Sequence, residues 1–371
     1  MNNIVSLFDV CKAASSNIAQ KDLAENDGEY PIYGASGLIK NIDFYKQDKP
    51  YLAIVKDGAG VGRVSRMPAY SSVIGTMQYI LPNEKVDINY LYYILAKLDL
   101  ARYHNGATIP HIYFKDYGKE KITLPPLSKQ RRIAAILDKV TTLIVERKLQ
   151  LEKIDLLVKS RFIEMFGDPV ANPMKWEAKR LDEIAKTRLG KMLDVKKQKG
   201  DCSYPYLANF NVQWFQIDLR KLNEMDFSED ERIEFELRDG DLLICEGGEV
   251  GRTAIWRNEK KNVFFQKAIH RVRCNEDVCI PEYLAWVMYF KGNTTYFDGL
   301  ITSATIAHLT GEKLKKLMIQ VPSINIQSRF ADFIRQIDKI KSELQEGVSD
   351  LEMLYGALMH IYFGGKDDER I

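Results

Sequence analysis

Two stretches of the chain carry apolar residues at alternating steps of three and four, which is the spacing of one face of a helix. The seam residues are Ile133, Leu137, Val140, Ile144, Leu151, Ile154 and Val158 in the first stretch, and Phe330, Ile334, Ile337, Leu344, Val348, Leu351, Tyr355 and Leu358 in the second. A seam of this length with charged flanks is typical of a coiled coil. Each stretch therefore predicts a helix of roughly 30 residues, or about 45 Å at 1.5 Å per residue.

The two helical stretches belong to an internal repeat. A shift of 197 residues, as from Gln130 to Gln327, brings the start of the first helix onto the start of the second. Two pairs of short matching segments, or islands, lie before the helices: residues 52–63 match 242–252, and residues 106–112 match 303–309. The first island reads as a buried strand, a glycine turn and the start of another strand. Outside these islands the halves differ, so we expect a shared scaffold with different recognition surfaces.

The order of the segments favours an antiparallel pair of helices. A whole globular segment follows the first helix, so the two helices can lie side by side about a pseudo-two-fold axis. The alternative, in which each helix packs only on its own globular segment, leaves much of a long apolar stripe uncovered. The predicted fold class is α+β, with two globular domains separated by two long antiparallel coiled-coil helices. The predicted segments are 1–124 (first domain), 125–168 (first helix), 169–320 (second domain), 321–365 (second helix) and 366–371 (tail).

Composition agrees with this layout and narrows the class of protein. Of 371 residues, 46% are hydrophobic, which is ample for two domains and their helices. The sequence shows no early signal-like run and no stretch of about 18 apolar residues that could span a bilayer. The five cysteines form no CxxC pair and the five histidines are scattered singly, which predicts neither a disulfide framework nor a metal site. We expect a cytoplasmic protein that does not contact the membrane.

Charge is nearly balanced but unevenly distributed. The net charge of +2 is too small to indicate nucleic-acid binding by itself. Basic residues concentrate between residues 179 and 199, and acidic residues between 224 and 241. This segregation would let one face approach phosphates while another meets a protein partner, although solvated surface on both stretches explains it equally well.

The candidate chemistry is that of DNA recognition and not of catalysis. Residues 58–63 are rich in glycine but lack the Gly-Lys-Ser/Thr ending of a phosphate loop, which favours a tight hairpin. Arg can bond guanine and Asn or Gln can bond adenine, while Lys and Thr mainly hold phosphates. The candidate DNA-binding residues are Lys56, Arg63, Arg66, Gln78, Asn105, Thr108, His111 and Lys115 in the first domain, and Arg188, Lys191, Arg252, Arg257, Gln266, Lys267, His270, Arg271, Thr305 and His308 in the second. Each alone is more often an ordinary surface or packing residue, but His111 and His308 occupy matched positions of the repeat.

The segments at the two ends of the first helix carry a family resemblance. Residues 125–138 read PPLSKQRRIAAILD, and residues 160–169 read SRFIEMFGDP. Together with the tandem layout, they resemble the specificity subunit of type I restriction-modification systems over essentially the whole chain. The second copy is looser, since Ser323 stands where Pro126 stands in the first.

The resemblance implies a DNA-binding subunit with no catalysis and no cofactor or metal of its own. Each globular domain would be a target recognition domain that reads one half of a bipartite, asymmetric site in double-stranded DNA. The helices would fix the gap between the halves. Two modification (methyltransferase) subunits would carry S-adenosylmethionine, and restriction (translocase-nuclease) subunits would use ATP and magnesium to act on foreign DNA. Outer helix residues such as Arg131, Leu143, Leu149 and Phe162 would receive the modification subunits.

Two other classes of protein stay open at this point. A coiled-coil adaptor or scaffold without DNA specificity explains the helices but not the matched loops. A stand-alone DNA methyltransferase or nuclease requires a cofactor loop and an acidic catalytic cluster, and the sequence shows neither.

Overall fold

The chain divides into two units that each combine one globular domain with parts of both long helices. The computed structural model describes residues 3–105, 110–194, 198–297 and 308–364. The first unit is Met1–Leu149 with Gln345–Ile371, and the second is Gln150–Leu344. The division therefore falls within the helices, whereas the segments predicted from sequence keep each helix whole.

The first domain consists of small, mainly antiparallel sheets that end directly before the first long helix. Its elements are β1 (Asn3–Ser6), β2 (Cys11–Ser15), β3 (Tyr30–Gly34), β4 (Gly37–Ile42), β5 (Tyr51–Val55), β6 (Val64–Met67), β7 (Ser72–Val73), β8 (Met77–Pro82), α1 (Ile88–Lys97), α2 (Phe114–Tyr117) and β9 (Lys121–Leu124). The sheets have the strand orders β1-β9, β2-β8-β5-β6 and β4-β3-β7, and β3 runs parallel to β7. All five residues of β5 are buried, as expected for a central strand of continuous apolar sequence.

The second domain repeats the same strand orders. Its elements are β10 (Ala178–Arg180), α4 (Leu181–Ile184), β11 (Ala185–Leu189), β12 (Ser203–Leu207), β13 (Val212–Gln213), β14 (Gln216–Ile217), β15 (Asn223–Asp226), α5 (Glu229–Glu234), β16 (Leu242–Cys245), β17 (Thr253–Ile255), β18 (Phe264–Phe265), β19 (Ile269–Cys274), α6 (Pro281–Gly292), α7 (Gly311–Lys315) and β20 (Met318–Gln320). The orders β10-β20, β11-β19-β16-β17 and β15-β12-β18 match those of the first domain, and the β13-β14 hairpin is added. The internal repeat is confirmed.

The glycine-rich segment after β5 is a tight turn that leads into β6. Gly58, Gly60 and Gly62 have φ of +81°, +86° and +87°, a region that side chains other than glycine rarely adopt. A Cβ on Gly62 would lie 2.8 Å from the backbone nitrogen of Ala101. The glycines therefore serve the turn and its close packing, as the hairpin interpretation predicts.

Both long helices exceed the length expected from their apolar seams. Helices α3 (Leu127–Phe166) and α8 (Ile324–Phe363) each have 40 residues, or about 60 Å at 1.5 Å per residue. The seam marks only the buried stripe, whereas α3 itself begins after Pro126 and ends before Gly167, whose φ is +75°. The estimate of roughly 30 residues was too short for this reason.

The helices pair in antiparallel fashion inside each unit. In the first unit, Ile133 near the start of α3 shares a core with Met359 near the end of α8. In the second unit, the rings of Phe162 and Phe330 lie 5.4 Å apart, so the end of α3 meets the start of α8. The predicted antiparallel pair and the α+β class are confirmed, and every seam residue is buried or half-buried.

Candidate nucleic-acid interface

A polar cluster forms in the first domain where the chain leaves β5. The backbone N–H of Gly58 donates to the carbonyl of Pro110 over 3.1 Å, and the N–H of Ile112 donates to the carbonyl of Lys56 over 3.0 Å. These bonds hold the residues that follow β5 against the segment before α2. The carboxylate of Asp57 is hydrogen-bonded to Nδ1 of His111, and both side chains are about a quarter exposed.

Aromatic and basic side chains extend this cluster at the surface. The ring of Tyr113 lies 4.1 Å from that of His111, and Nζ of Lys115 lies 5.0 Å from the Tyr113 ring. Asn105 exchanges two backbone hydrogen bonds with His111, of 2.9 and 3.1 Å. Lys56, Asn105, His111 and Lys115 are therefore brought together, in an arrangement that offers donors and an aromatic face to a ligand.

The second domain has a matching arrangement where the chain leaves β16. The N–H of Leu309 donates to the carbonyl of Glu246 over 2.8 Å, which parallels the bond between Ile112 and Lys56. His308 and Lys267 are exposed beside this point. Burial raises the pKa of Glu246, and the nearby His308 and Lys267 partly oppose the effect. Both domains thus place a histidine at the matched position with a carboxylate near it. The carboxylates themselves are not matched, because Glu246 corresponds to Lys56 and Gly247 corresponds to Asp57.

Two candidate residues lie in the core and cannot reach DNA. Gln78 is 5% exposed, and its side-chain amide donates to the Tyr117 hydroxyl over 2.6 Å. His270 is 1% exposed, and its Nε2 lies 3.2 Å from the carbonyl oxygen of Leu309, to which it donates. Burial lowers the pKa of His270 to about 4, so the ring is neutral at neutral pH. Predicting DNA contacts for Gln78 and His270 was wrong, because both side chains point inward from strands.

Several candidate arginines are engaged in contacts within their own unit. Arg66 forms a 2.7 Å ion pair with Asp138 of α3 and lies 4.2 Å from the Tyr92 ring. Arg257 forms a 2.7 Å ion pair with Glu282, whose side chain is almost fully buried. These two arginines tie a domain to nearby helices, which the sequence could not indicate. Two other candidate arginines donate to backbone carbonyls: Arg63 to that of Ala35, and Arg252 to that of Asn209 over 2.8 Å.

The basic and acidic stretches of the second domain face each other. Arg188 pairs with Glu234, and Nζ of Lys191 lies 2.5 Å from Glu231, both carboxylates belonging to α5. Arg271 donates to the carbonyl of Glu236 over 2.5 Å. At these residues the basic and acidic stretches meet and do not form separate faces, because α5 folds back over the end of β11. A phosphate reaching the adjoining cavity of about 920 Å³ would compete with these carboxylates for Arg188 and Lys191.

One basic turn was missed in the sequence analysis. Asn258 and Asn262 adopt positive φ, of +58° and +56°, at either end of a turn that exposes Lys260 and Lys261. These residues border a cavity of about 700 Å³ that also contacts Arg232. The run of Asn, Lys and Lys between two strands was a usable signal, since Asn tolerates the left-handed region in turns.

Some predictions fall elsewhere or cannot be placed. Thr108, Thr305 and the tail 366–371 lie outside the described residues. Phe162, expected on an outer helix face, is fully buried, whereas Arg131 and Leu149 are exposed.

Within the described ranges, no group of three or more His, Cys, Asp or Glu could hold a metal ion. Of the helices in the same ranges, none is long and apolar enough to cross a membrane.

Comparison with known proteins gives a consistent family. The model of the type I restriction modification DNA specificity domain matches residues 2–153 and again residues 173–352. A putative type I restriction enzyme specificity subunit of Haemophilus influenzae is 24% identical over 336 residues, covering 86% of this chain and 83% of that protein. The EcoKI specificity subunit of Escherichia coli is 22% identical over 284 residues, covering 70% of this chain and 61% of that protein. These relatives are specificity subunits, the non-catalytic component of such systems.

Solved structures show the same fold. The S subunit of a type I restriction-modification system from M. genitalium aligns with a TM-score of 0.66 at 13% identity, covering 98% of this chain and 96% of that one. Each half of the present chain matches the family model separately, in agreement with the repeated strand orders. The chain therefore belongs to the family of type I restriction-modification DNA specificity subunits.

Proposed function

We propose that this chain recognises a bipartite, asymmetric target in double-stranded DNA, with one globular domain for each half of the target. The observation that carries the proposal is the duplication itself. The two domains share their strand orders, but the side chains at matched positions differ. Beside the matched histidines His111 and His308, Glu246 of the second domain stands where the first has Lys56, and Gly247 stands where the first has Asp57. Equal scaffolds with unlike surfaces suit two unlike half-sites.

Exposed polar residues of both domains supply the chemistry that DNA recognition requires. Asn105 and Lys115 in the first domain, and Lys267 and His308 in the second, are exposed beside the two matched segments. Asn can bond adenine through two hydrogen bonds, and Lys holds phosphates without sequence preference. The first domain thus offers Asn105 as a base reader beside Lys115, and the second offers Gln266, which is half-buried, beside Lys267.

The long helices offer surfaces for the partner subunits. Large apolar side chains are exposed along them, namely Val145, Leu149, Leu156, Leu157, Met353, Leu354 and Ile361. Val145 and Leu149 lie one turn apart on the same face of α3, and exposed apolar residues that adjoin one another mark protein interaction surfaces. We propose that they receive two modification subunits, which carry S-adenosylmethionine, and that restriction subunits with ATP and magnesium join the complex. The chain would direct both activities to the target without contributing a catalytic group.

Selection from randomised DNA duplexes by the purified chain tests the proposal. We expect two short, unlike sequences separated by a gap of fixed length and free sequence, with an affinity that falls as salt rises. A single continuous site, or two identical half-sites, would contradict the bipartite proposal. Absence of any selection would favour the adaptor class.

Incubation with labelled S-adenosylmethionine and DNA tests whether the chain is a stand-alone methyltransferase. The chain alone should transfer no methyl group to DNA, and addition of modification subunits should produce methylation at the selected site. Methylation by the chain alone would show a stand-alone methyltransferase.

A further inference from the structure

Two glutamines, one at the start of each long helix, are buried almost completely. Gln130 of α3 is 1% exposed and Gln327 of α8 is 0% exposed. They occupy the same position of the repeat, in the first turn of their helices. A buried amide needs hydrogen-bond partners for both its NH₂ group and its oxygen, because leaving either one unpaired is costly.

Gln130 joins its helix to the recognition domain of the first unit. Its Nε2 donates to the carbonyl of Lys85 over 3.1 Å and to the carbonyl of Pro125 over 2.8 Å. Its Oε1 accepts from the backbone N–H of Asp87 over 2.8 Å. Lys85 and Asp87 belong to the loop that starts α1 of the globular domain, whereas Pro125 belongs to the chain entering α3.

Gln327 makes the same three bonds in the second unit. Its Nε2 donates to the carbonyls of Val278 and Pro322 over 3.0 and 2.8 Å, and its Oε1 accepts from the N–H of Ile280 over 2.9 Å. The loop that contains Val278 and Ile280 starts α6, the counterpart of α1. The same three bonds are thus present in both halves of the repeat.

A tyrosine adds one further bond at each joint. The Tyr90 hydroxyl of α1 donates to the carbonyl of Thr123 over 2.9 Å, and the Tyr283 hydroxyl of α6 donates to the carbonyl of Gln320 over 2.9 Å. In both units, therefore, the domain helix, its preceding loop and the strand before the long helix are fixed to one another by directional bonds. Apolar packing alone permits sliding and rotation that such bonds oppose.

We propose that Gln130 and Gln327 are positioning residues that set the angle of each recognition domain on its own long helix and so limit the DNA gap lengths that the protein accepts. The inference rests on the proposed recognition of a bipartite target. A domain that is free to rock on its helix can reach half-sites at several distances, whereas a fixed domain meets them at one. The glutamines touch no base, so they should control the tolerated gap and leave the base preferences unchanged.

The test uses Gln130→Met and Gln327→Met in the full chain. Methionine has a similar length but offers no N–H donor, so it removes all three bonds while largely filling the space. Binding is measured to duplexes that keep both selected half-sites and vary only the gap. The ratio of affinity for the wild-type gap to affinity for gaps one base pair longer or shorter should fall about tenfold in each variant, since several buried hydrogen bonds are removed. Gln336→Met on the exposed face of α8 is the matched control and should keep the wild-type preference.

The outcomes separate this inference from the function on which it rests. Folded methionine variants that keep the full gap preference would overturn the positioning role. A wild-type chain that selects no bipartite DNA would instead refute the proposed function. In that case, amide hydrogen exchange tests whether each glutamine fixes its domain to its helix, with Asp87 measured in Gln130→Met and Ile280 in Gln327→Met. Faster exchange in the variant supports this role, and unchanged exchange overturns it.

Milder variants guard against misfolding of the methionine substitutions. Tyr90→Phe and Tyr283→Phe delete only the hydroxyl bond of each joint. They should show a smaller loss of gap preference than the methionine variants, at unchanged base preference. An unchanged gap preference in both phenylalanine variants, with no folded methionine variant, would also overturn the inference.

Discussion

Phe162→Ala should strongly destabilise the second unit, because this side chain joins the end of α3 to the second globular domain. Phe162 is 0% exposed, and its ring lies 4.9 Å from that of Phe290, 5.0 Å from Phe166 and 5.4 Å from Phe330. Truncation removes these contacts and leaves a cavity among the surrounding rings. We expect the free energy of unfolding of this unit to fall by about 3–5 kcal/mol, the usual range for a buried phenylalanine.

Urea unfolding followed by tryptophan fluorescence measures this effect in the right unit, because all four tryptophans, Trp176, Trp214, Trp256 and Trp286, lie within Gln150–Leu344. Leu156→Ala is the matched control on the same helix, since Leu156 is 62% exposed. Its effect should stay within about 0.5 kcal/mol. A loss below about 1 kcal/mol for Phe162→Ala, or an equal loss for Leu156→Ala, would refute the packing described for the end of α3.

Three further predictions concern the pH dependence of stability, a lysine of the second domain and the length of the long helices. The free energy of unfolding should fall by about 3 kcal/mol as the pH drops from 6.5 towards 4, because burial lowers the pKa of His270 to about 4 and only the unfolded chain takes up the proton in this window. Urea midpoints of the wild type and of His270→Gln measure this fall. Equal falls in both proteins would contradict the lowered pKa of His270. Lys267→Ala should weaken binding to all DNA sequences alike and reduce the salt slope by about 1, because Lys267 is exposed beside the matched segment. A change of base preference in the selected sites would show that Lys267 reads bases. Adding one heptad to both α3 and α8 should lengthen the preferred DNA gap by about three base pairs, since seven residues extend a helix by about 10 Å; an unchanged gap would show that helix length does not set it.

The architecture was predictable because its signals are local or repeated along the chain. The apolar spacing of the seams predicts the two helices, and the prolines before them and the glycines after them mark where they begin and end. The alignment of Gln130 with Gln327 predicts the repeat, which the strand orders confirm. The same alignment did not reveal what these glutamines do, because two of the three hydrogen-bond partners of each lie in the loop that precedes α1 or α6.

The candidate site was less predictable because exposure and pairing depend on tertiary contacts. Gln78 and His270 have polar side chains suited to base reading, yet each lies on a strand where the neighbouring packing turns it inward. Arg66 meets Asp138, and Lys191 meets Glu231, across long separations in sequence. Residue type indicates what a side chain can bond, but only the fold determines which partner it meets first.

The most direct test of the central claim compares the DNA targets selected by variants in one domain at a time. Asn105→Ala, His111→Ala and Lys115→Ala change the first domain, whereas Gln266→Ala, Lys267→Ala and His308→Ala change the second. Each variant is used to select targets from the same randomised duplexes. Any change in base preference, of about 1–3 kcal/mol per contact, should be confined to one half-site, the same half for all variants of a domain. A variant of the second domain that alters the half-site changed by first-domain variants would contradict independent recognition by two domains.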